Sequence, residues 1–148
     1  VPMLGPPGHV LDEKFHCSVG DIRLTALSMG NPHAIIYFPS TEGLPFAVLG
    51  PEIESDPRFP NRVNVGFACK KTSSEIELRV WERGSGETLS CGTGACAAWV
   101  AGVLTGRLAE QGQVVFPGGT VTVRWGGLGQ PVYLEGPSRL VCWGECNI

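Results

Sequence analysis

Short apolar segments with alternating polarity predominate along the chain and predict a mostly β structure. Residues 14–19 and 22–28 alternate between polar and apolar side chains on the two sides of Gly20-Asp21, which predicts a β-hairpin. The same criterion, with turn residues between the segments, predicts further strands over 33–38, 62–69, 75–81, 113–116, 120–125, 132–134 and 140–143. The proline-bounded stretch 43–60 has room for one or two short helices.

One segment is apolar without alternation. Residues 92–105 are rich in Ala, Val and Leu and contain no proline, and Gly106 follows as a stop signal, so the segment predicts a buried helix. A helix with so little polar surface is best buried by wrapping a sheet around it. The pattern therefore predicts an α+β domain with one buried helix among many strands.

Length and charge exclude several classes of protein. A chain of 148 residues suits one domain with its own core and is too short for two ordinary ones. Charged residues make up 17% of the chain, the net charge is −3 and Lys70-Lys71 is the only basic pair, so we expect no nucleic-acid partner. No apolar run reaches the ~20 residues that span a bilayer, and no secretory signal is visible at the start. We therefore expect no membrane partner and a cytoplasmic location.

The six cysteines do not suggest a disulfide scaffold or a metal site. A chain of this size with ample apolar residues can build a core without disulfides, so we expect none. His16-Cys17 together with Cys142 and Cys146 could supply four zinc ligands, but neither pair has the compact C-x2-C spacing of a zinc site. We expect no metal.

Cys91 is the candidate for chemistry, because it stands where the apolar helix begins. Unpaired N–H groups and the helix dipole lower the pKa of a cysteine there and attract anions, and Gly92 and Gly94 leave those N–H groups uncovered. Small residues at such a turn also serve close packing alone, and cysteine is often simply buried. The loop before the thiol favours function, since it crowds together three ionisable groups that a structural turn does not need, Glu82, Arg83 and Glu87.

Five segments share their order and spacing with one known family. They are Met29-Gly30-Asn31-Pro32-His33-Ala34, Asn64-Val65-Gly66-Phe67, Glu82-Arg83-Gly84-Ser85-Gly86-Glu87-Thr88, Ser90-Cys91-Gly92-Thr93-Gly94-Ala95-Cys96-Ala97-Ala98 and Phe116-Pro117-Gly118-Gly119. They resemble the diaminopimelate epimerases, isomerases that invert one α-carbon of diaminopimelate on the route to lysine and the bacterial cell wall. The resemblance implies an α+β domain of mostly antiparallel strands curled around one central buried helix.

The resemblance also implies that part of the enzyme is missing from this chain. Members of the family have two similar domains, each with one catalytic cysteine, and all five segments resemble the second domain. The first domain's segment, a cysteine before Gly-Asn-Gly, is absent, and the chain starts at Val1-Pro2 without an initiator methionine. We therefore expect residues 1–148 to be a C-terminal catalytic half-domain whose partner is the missing N-terminal domain. Whether the full-length enzyme is a homodimer stays open.

The resemblance implies a mechanism without a cofactor. One cysteine, as a thiolate, removes the α-proton and the other, as a thiol, delivers a proton to the opposite face, so that the stereocentre inverts. Cys91 is implied to be one of the two, with Glu82 and His33 as its acid–base helpers. On local sequence alone, His33 could instead cap the backbone of a tight turn, and Glu82 could form an exposed ion pair with Arg83.

Substrate recognition is implied at a second set of positions. Backbone amides at the start of the helix are implied to bind the reacting carboxylate, while polar side chains grip the rest of diaminopimelate; the set is Asn31, Asn64, Glu82, Arg83, Gly92 and Thr93. Asn31 and Asn64 could also be simple turn residues. Cys96 lies about 140° around the helix from Cys91, so we expect it to face away from the site as a core residue, like Trp99.

Two classes of alternative remain. One is a related isomerase, either a proline or hydroxyproline racemase half or the phenazine-biosynthesis isomerase, which uses a carboxylate in place of the cysteine. Cys91 and Glu82-Arg83 argue against the latter, and the Asn-Pro-His segment and the Glu-Arg-Gly-x-Gly-Glu-Thr segment argue against the former. The other is a non-catalytic module that binds amino acids or a protein.

Overall fold

The structure, a computed structural model, describes residues 3–5 and 8–146. These residues form nine strands and two helices. The strands are β1 (Val10–Cys17), β2 (Gly20–Ser28), β3 (Pro32–Phe38), β4 (Asn64–Thr72), β5 (Glu75–Glu82), β6 (Gly86–Thr88), β7 (Gln111–Phe116), β8 (Gly119–Trp125) and β9 (Val132–Glu135). The helices are α1 (Phe46–Glu54) and α2 (Gly92–Leu104).

All nine strands belong to one sheet. Its order is β1-β2-β3-β4-β5-β7-β8-β9, and β6 pairs with β5 beside this path. Neighbouring strands are antiparallel except for β3–β4 and β5–β7, which are parallel. A parallel pair needs a crossover connection, and here α1 lies between β3 and β4 while α2 lies between β5 and β7. The predicted α+β class with mostly antiparallel strands is confirmed, and the two parallel pairs are an addition to it.

The two helices cover opposite faces of the sheet. Along β3, Ile35 packs in the core cluster that contains α2, whereas Ala34 and Ile36 pack in the cluster that contains α1. Because successive side chains of a strand point to opposite faces, this division places one helix on each face. The centre of the sheet is therefore buried on both sides, which explains why β3 has little of the polar alternation seen in β1.

Helix α2 is the central buried helix that the sequence predicted. Its residues from Gly94 to Gly102 are all buried, and the helix contacts strands β2, β3, β4, β5, β8 and β9. Trp99 is fully buried and donates its indole N–H to the carbonyl oxygen of Ala109 at 3.1 Å. Cys96 is buried as well, as expected for a core residue. No helix within the described residues is long and apolar enough to cross a membrane.

Some predicted boundaries shift. In the first hairpin His16 pairs with Asp21 and Cys17 with Gly20, so the turn lies at Ser18-Val19 and not at Gly20-Asp21. The short strand β6 was not predicted. The strand predicted over 140–143 is wrong, because this part of the described chain has no regular structure and Trp143 is 86% exposed. An alternating segment becomes a strand only where a neighbouring strand accepts and donates its backbone hydrogen bonds.

Candidate active site

Cys91 is the residue from which α2 starts. Its backbone is extended, with φ −147° and ψ 112°, and its carbonyl oxygen accepts the first helical hydrogen bond from Ala95 N at 2.9 Å. Among the described residues, no side chain caps this helix end. A Cβ at Gly94 would stand 3.3 Å from the Cys91 sulfur and 3.2 Å from Val80 Cγ2, so a larger residue here would have to displace the thiol or Val80 by a few tenths of an ångström.

The expectation that this position lowers the pKa of Cys91 is wrong for the chain as it stands. Burial raises the pKa of the thiol, and it outweighs the lowering by the Thr93 hydroxyl and the Gly94 backbone N–H. The neighbouring Glu82 carboxylate adds to the increase by its charge and by a hydrogen bond. Polar groups at the helix start thus favour the thiolate, but burial of the sulfur favours the neutral thiol more strongly.

His33 lies beside the helix start, although it comes from β3. Its ring is fully buried, and Nε2 lies 3.0 Å from Asn31 Oδ1 and 3.2 Å from Thr93 Oγ1. Nδ1 has no hydrogen-bond partner among the described residues. Burial lowers the pKa of His33 to about 4, with Arg83 adding to the decrease and Glu82 opposing it. The imidazole is therefore neutral near pH 7. Its Nε2 contacts the side chains of Asn31 and Thr93, whereas the alternative interpretation had the ring capping backbone groups of a tight turn.

A continuous run of polar contacts connects the histidine to the thiol. Asn31 donates from Nδ2 to Thr93 Oγ1 at 3.3 Å, and Thr93 Oγ1 lies 3.6 Å from the Cys91 sulfur. Asn31, His33, Thr93 and Cys91 thus form one cluster, drawn from the start of β3 and the start of α2. Gly92 and Thr93 are both exposed, so the first turn of α2 is open to a ligand.

Asn64 connects two backbone segments of the site. The parallel pairing of β3 with β4 sets His33 directly beside Asn64. The Asn64 side chain is buried, donates from Nδ2 to Pro32 O at 2.8 Å, and accepts from Arg83 N at 2.9 Å. In this structure Asn64 therefore fixes the Arg83 backbone to the start of β3. Its implied contact with substrate stays a prediction.

Glu82 is the last residue of β5 and Arg83 begins the loop that follows, and the two side chains are held separately. The described structure contains no ion pair between these two residues, contrary to the local alternative. Glu82 is partly buried and accepts a hydrogen bond from Thr88 Oγ1 at 2.6 Å. Arg83 is exposed and donates from Nη1 to Asn61 O at 2.9 Å. Glu87, the third ionisable residue of the group before the thiol, lies in β6 and forms a surface ion pair with Arg79 at 2.7 Å.

One buried acidic residue near the site escaped sequence analysis. Glu54 at the end of α1 is 3% exposed, and its carboxylate accepts from Trp81 Nε1 at 2.8 Å and from Gly84 N at 2.7 Å. Arg62 Nη2 lies 2.8 Å from the same carboxylate. The available signal was weak, an acidic residue closing a short apolar helix, and nothing in the sequence connects it with the loop after β5.

Within residues 3–5 and 8–146, no group of three or more His, Cys, Asp or Glu side chains lies close enough together to hold an ion. All six cysteines fall in the described part of the chain and are free thiols. The groups that the site itself presents are a thiol, a carboxylate, a neutral imidazole and exposed backbone at the start of α2.

Solved structures show which proteins share the fold. A hydroxyproline epimerase from Agrobacterium vitis with bound trans-4-hydroxy-L-proline aligns with a TM-score of 0.62 at 21% identity, over 85% of this chain and 45% of that chain. A phenazine-biosynthesis protein of the PhzF family from Bacillus anthracis aligns with a TM-score of 0.53 at 18% identity, over 76% of this chain and 38% of that chain. At such identities the likeness concerns the fold alone.

Curated relatives are much closer in sequence. Diaminopimelate epimerase from Pelotomaculum thermopropionicum is 48% identical over 145 residues, which are 98% of this chain and 51% of that protein. The enzyme of the same name from Alkalilimnicola ehrlichii is 51% identical over 127 residues, 86% of this chain and 46% of that protein. This chain thus spans about half the length of the relatives it matches, and it matches their C-terminal half. Since the family model for diaminopimelate epimerase matches residues 25–141, the chain belongs to the diaminopimelate epimerase family.

Proposed function

We propose that this chain is the C-terminal catalytic half of a diaminopimelate epimerase and interconverts LL- and meso-diaminopimelate together with an N-terminal half. The observation that carries the proposal is Cys91 at the open start of α2, where Thr93 contacts the thiol, His33 and Asn31 contact Thr93, and the Glu82 carboxylate neighbours the sulfur. Family membership and the half-length match support it. Relatives at 48% identity favour diaminopimelate over proline-type substrates.

The reaction needs two proton-transfer groups on opposite faces of the substrate's α-carbon. The α-hydrogen is a very weak acid, so without a cofactor the enzyme has to stabilise negative charge by electrostatics and place its acid and base accurately. Cys91 supplies one of these groups, and the N-terminal half supplies a second cysteine. Because burial raises the pKa of Cys91, the thiol form predominates in the isolated half. That form suits the proton-donating role, and Glu82 can accept the thiol proton when Cys91 acts as the base.

The substrate's carboxylates have separate recognition sites in this proposal. The reacting α-carboxylate binds at the start of α2, where the amides of Gly92 and Thr93 and the helix dipole favour negative charge. The exposed guanidinium of Arg83 offers a planar pair of donors for another carboxylate. Asn31, at the edge of the cluster, and Asn64, behind the Arg83 backbone, complete the recognition site.

The proposal includes a cytoplasmic location. A catalytic thiol works only while it is reduced, and the cytosol is the compartment where cysteines stay free. All six cysteines of the chain are unpaired, and Cys142 and Cys146 are exposed. Exposed thiols of this kind are compatible with a reducing compartment.

Incorporation of solvent deuterium at the α-carbon of diaminopimelate tests the proposal. The full-length protein, or this chain combined with its N-terminal half, is expected to exchange the α-hydrogen, whereas this chain alone is expected not to. Cys91→Ala should abolish exchange in the full-length protein. Cys96→Ala is the matched control, since it removes a buried thiol from the same helix, and it should retain activity.

Two outcomes would contradict the proposal. Robust exchange by the isolated chain would mean that it contains a complete site and not half of one. Exchange of proline or hydroxyproline, with none of diaminopimelate, would assign the chain to another substrate class. Mass spectrometry of the recovered amino acid measures both.

A further inference from the structure

We infer that Glu54 is a positioning residue for the reaction, because its buried carboxylate holds the loop that presents Glu82 and Arg83 to the site. The inference rests on the proposed function for its catalytic meaning. The claim that Glu54 holds the loop rests only on the contacts that this residue of α1 makes with Trp81 and Gly84. None of the segments that resemble the family includes Glu54.

The carboxylate of Glu54 is hydrogen-bonded on both of its oxygens. Oε2 accepts from the Trp81 indole N–H at 2.8 Å, at the end of β5, and Oε1 accepts from the Gly84 backbone N–H at 2.7 Å. Arg62 Nη2 also reaches Oε1 at 2.8 Å. Burying a carboxylate costs free energy unless hydrogen-bond donors replace the water molecules that it loses. The Glu54 carboxylate therefore needs its three donors to remain in place.

The two loop contacts enclose the functional residues. Trp81 immediately precedes Glu82, and Gly84 immediately follows Arg83, so Glu54 fixes the chain on both sides of the pair. Between these contacts, Asn64 Oδ1 accepts the Arg83 N–H at 2.9 Å. Consecutive backbone amides are therefore held by two buried side chains. Three contacts thus hold residues 81–84, through the Trp81 indole, the Arg83 N–H and the Gly84 N–H. They fix the backbone from which the Glu82 and Arg83 side chains project.

The turn before β4 joins the same arrangement. Asn61 O accepts from the Arg83 guanidinium at 2.9 Å, and Arg62 reaches Glu54. Arg62 has a φ of +56°, in the left-handed region that a non-glycine side chain rarely adopts. Such backbone strain persists only where the surroundings enforce it. Two contacts hold Arg62 in this conformation, the hydrogen bond from its N–H to Phe59 O and the ion pair of its side chain with Glu54.

Packing around Trp81 shows that the loop cannot easily shift along α1. A Cβ at Gly50 would stand 2.5 Å from the Trp81 ring, so α1 and the indole are in direct contact. Phe46 lies with its ring centroid 6.0 Å from that of Trp81. Packing fixes the ring, and the Glu54 hydrogen bonds extend this rigidity to the polar loop.

Glu54→Gln in the full-length protein is the central test. Glutamine has nearly the same shape but replaces one accepting oxygen with an N–H donor, so it cannot accept from both Trp81 and Gly84. Amide hydrogen exchange of residues 82–86 should become about tenfold faster or more, because a charge-assisted hydrogen bond is lost. In epimerase assays, kcat should fall and KM should rise together. We expect a loss in kcat/KM on the order of 100-fold, as for a small misplacement of groups near the reaction.

Ile53→Ala is the matched control. Ile53 is the neighbouring residue of α1 and is fully buried, but it packs only in the apolar core. This variant should lower the thermal unfolding midpoint while loop exchange and kcat/KM stay close to the parent values, measured well below that midpoint. If Glu54→Gln does not fold, Glu54→Asp replaces it, since it keeps the charge near Arg62 and withdraws the carboxylate from Gly84.

The outcomes separate this inference from the proposed function. Lower thermal stability of the Glu54 variant, with parental loop exchange and parental kinetics, would overturn the inference, as would faster exchange with unchanged kcat and KM. A parent protein that fails to epimerise diaminopimelate would overturn the proposed function. In that case the exchange measurement still decides whether Glu54 holds the loop.

Discussion

Among single residues, the polar side chains near Cys91 fall into two groups, those buried and hydrogen-bonded to the protein's own backbone and those exposed to solvent. Asn64 and Glu54 are buried, and their accepting oxygens bind backbone N–H groups of the loop. Thr93 and Arg83 are exposed, and of the Arg83 guanidinium only Nη1 is engaged in a hydrogen bond, to Asn61 O, among the described residues. Substrate contacts are therefore expected mainly from the exposed group, while the buried group sets its geometry.

His33 leads to a prediction about pH and stability. Its pKa of about 4 in the folded chain lies below the value of about 6.5 for a free histidine, so the unfolded chain binds a proton that the folded chain does not. The free energy of unfolding should therefore be highest above about pH 6.5 and decrease as the pH falls toward 4. The difference corresponds to roughly 3 kcal/mol at most. Urea unfolding between pH 4.5 and 7.5 measures it.

His33→Gln should flatten this pH dependence, because glutamine does not titrate. His9→Gln is the control, since His9 is exposed and its replacement should leave the slope unchanged. An identical slope in the parent protein and His33→Gln would show that His33 titrates normally or that another group dominates.

The residues that the motifs name lie close together in the structure, and their roles stay predictions, whereas a property that depends on burial could not be predicted from the sequence. The residues around Cys91 come together as the spacing of the motifs suggested, with Asn31, His33 and Thr93 in contact. The expected decrease in the Cys91 pKa was wrong, because the helix start could be recognised but the desolvation of the sulfur could not. Glu54 was missed since its partners lie in segments distant along the chain.

At the scale of elements, the first turn of α2 combines close packing with an open surface. Gly94 faces the thiol and Val80 of β5, whereas Gly92 and Thr93 face outward. The same turn therefore packs tightly on its inner side and stays accessible on its outer side. Close packing therefore explains Gly94, while a functional role for Gly92 and Thr93 stays a prediction.

Gly94→Ala should separate stability from activity. Alanine favours helix over glycine by about 1 kcal/mol, which offsets part of the strain of the new Cβ at 3.2 Å from Val80 Cγ2. The same Cβ would stand 3.3 Å from the sulfur and displace the thiol, so kcat should fall by roughly 100-fold while the unfolding midpoint changes little. Steady-state kinetics and thermal unfolding, with Cys96→Ala as the control, measure this. Equal activity of Gly94→Ala and the parent would show that the thiol tolerates the shift.

Element types were largely predictable from polarity, but strand partners were not. The central helix over residues 92–105 and most strands follow from local periodicity. The parallel pairs β3–β4 and β5–β7 depend on the path of the chain through the helix that connects the two strands. The local periodicity of polar and apolar residues does not specify this path. The segment 140–143 has strand-like alternation without a partner strand, so its local pattern led to a wrong prediction.

At the scale of the whole molecule, a sheet covered on both faces ends in an exposed segment. Residues 136–146 have no regular structure and are exposed, including Leu140 at 81% and Val141 at 90%. The folded core comprises the residues up to β9, whose Leu134 contacts the start of α2 at Gly92. Stability of the isolated chain should therefore come almost entirely from the part that precedes residue 136.

Truncation tests this division. Removal of residues 137–148 from the isolated chain should leave its thermal unfolding midpoint unchanged and should improve its solubility, because exposed apolar side chains promote association. Removal of residues 128–148, which also deletes β9, should lower the midpoint by several degrees, as expected for losing ~1 kcal/mol or more in a domain of this size. A large loss of stability in the shorter truncation would contradict the assignment of the core.

The two crossovers also determine when during folding the site becomes complete. Each parallel pair can form only after the chain has closed a long loop through a helix, and such closure slows folding. His33 and Asn64 meet through the first closure, while Cys91 lies within the second. In an incompletely folded chain Cys91 is therefore expected to be exposed, without the packing around it and without His33 beside Thr93. Protection of this sulfur from oxidation is acquired late, together with the second parallel pair, and oxidative damage should fall mainly on newly made chains.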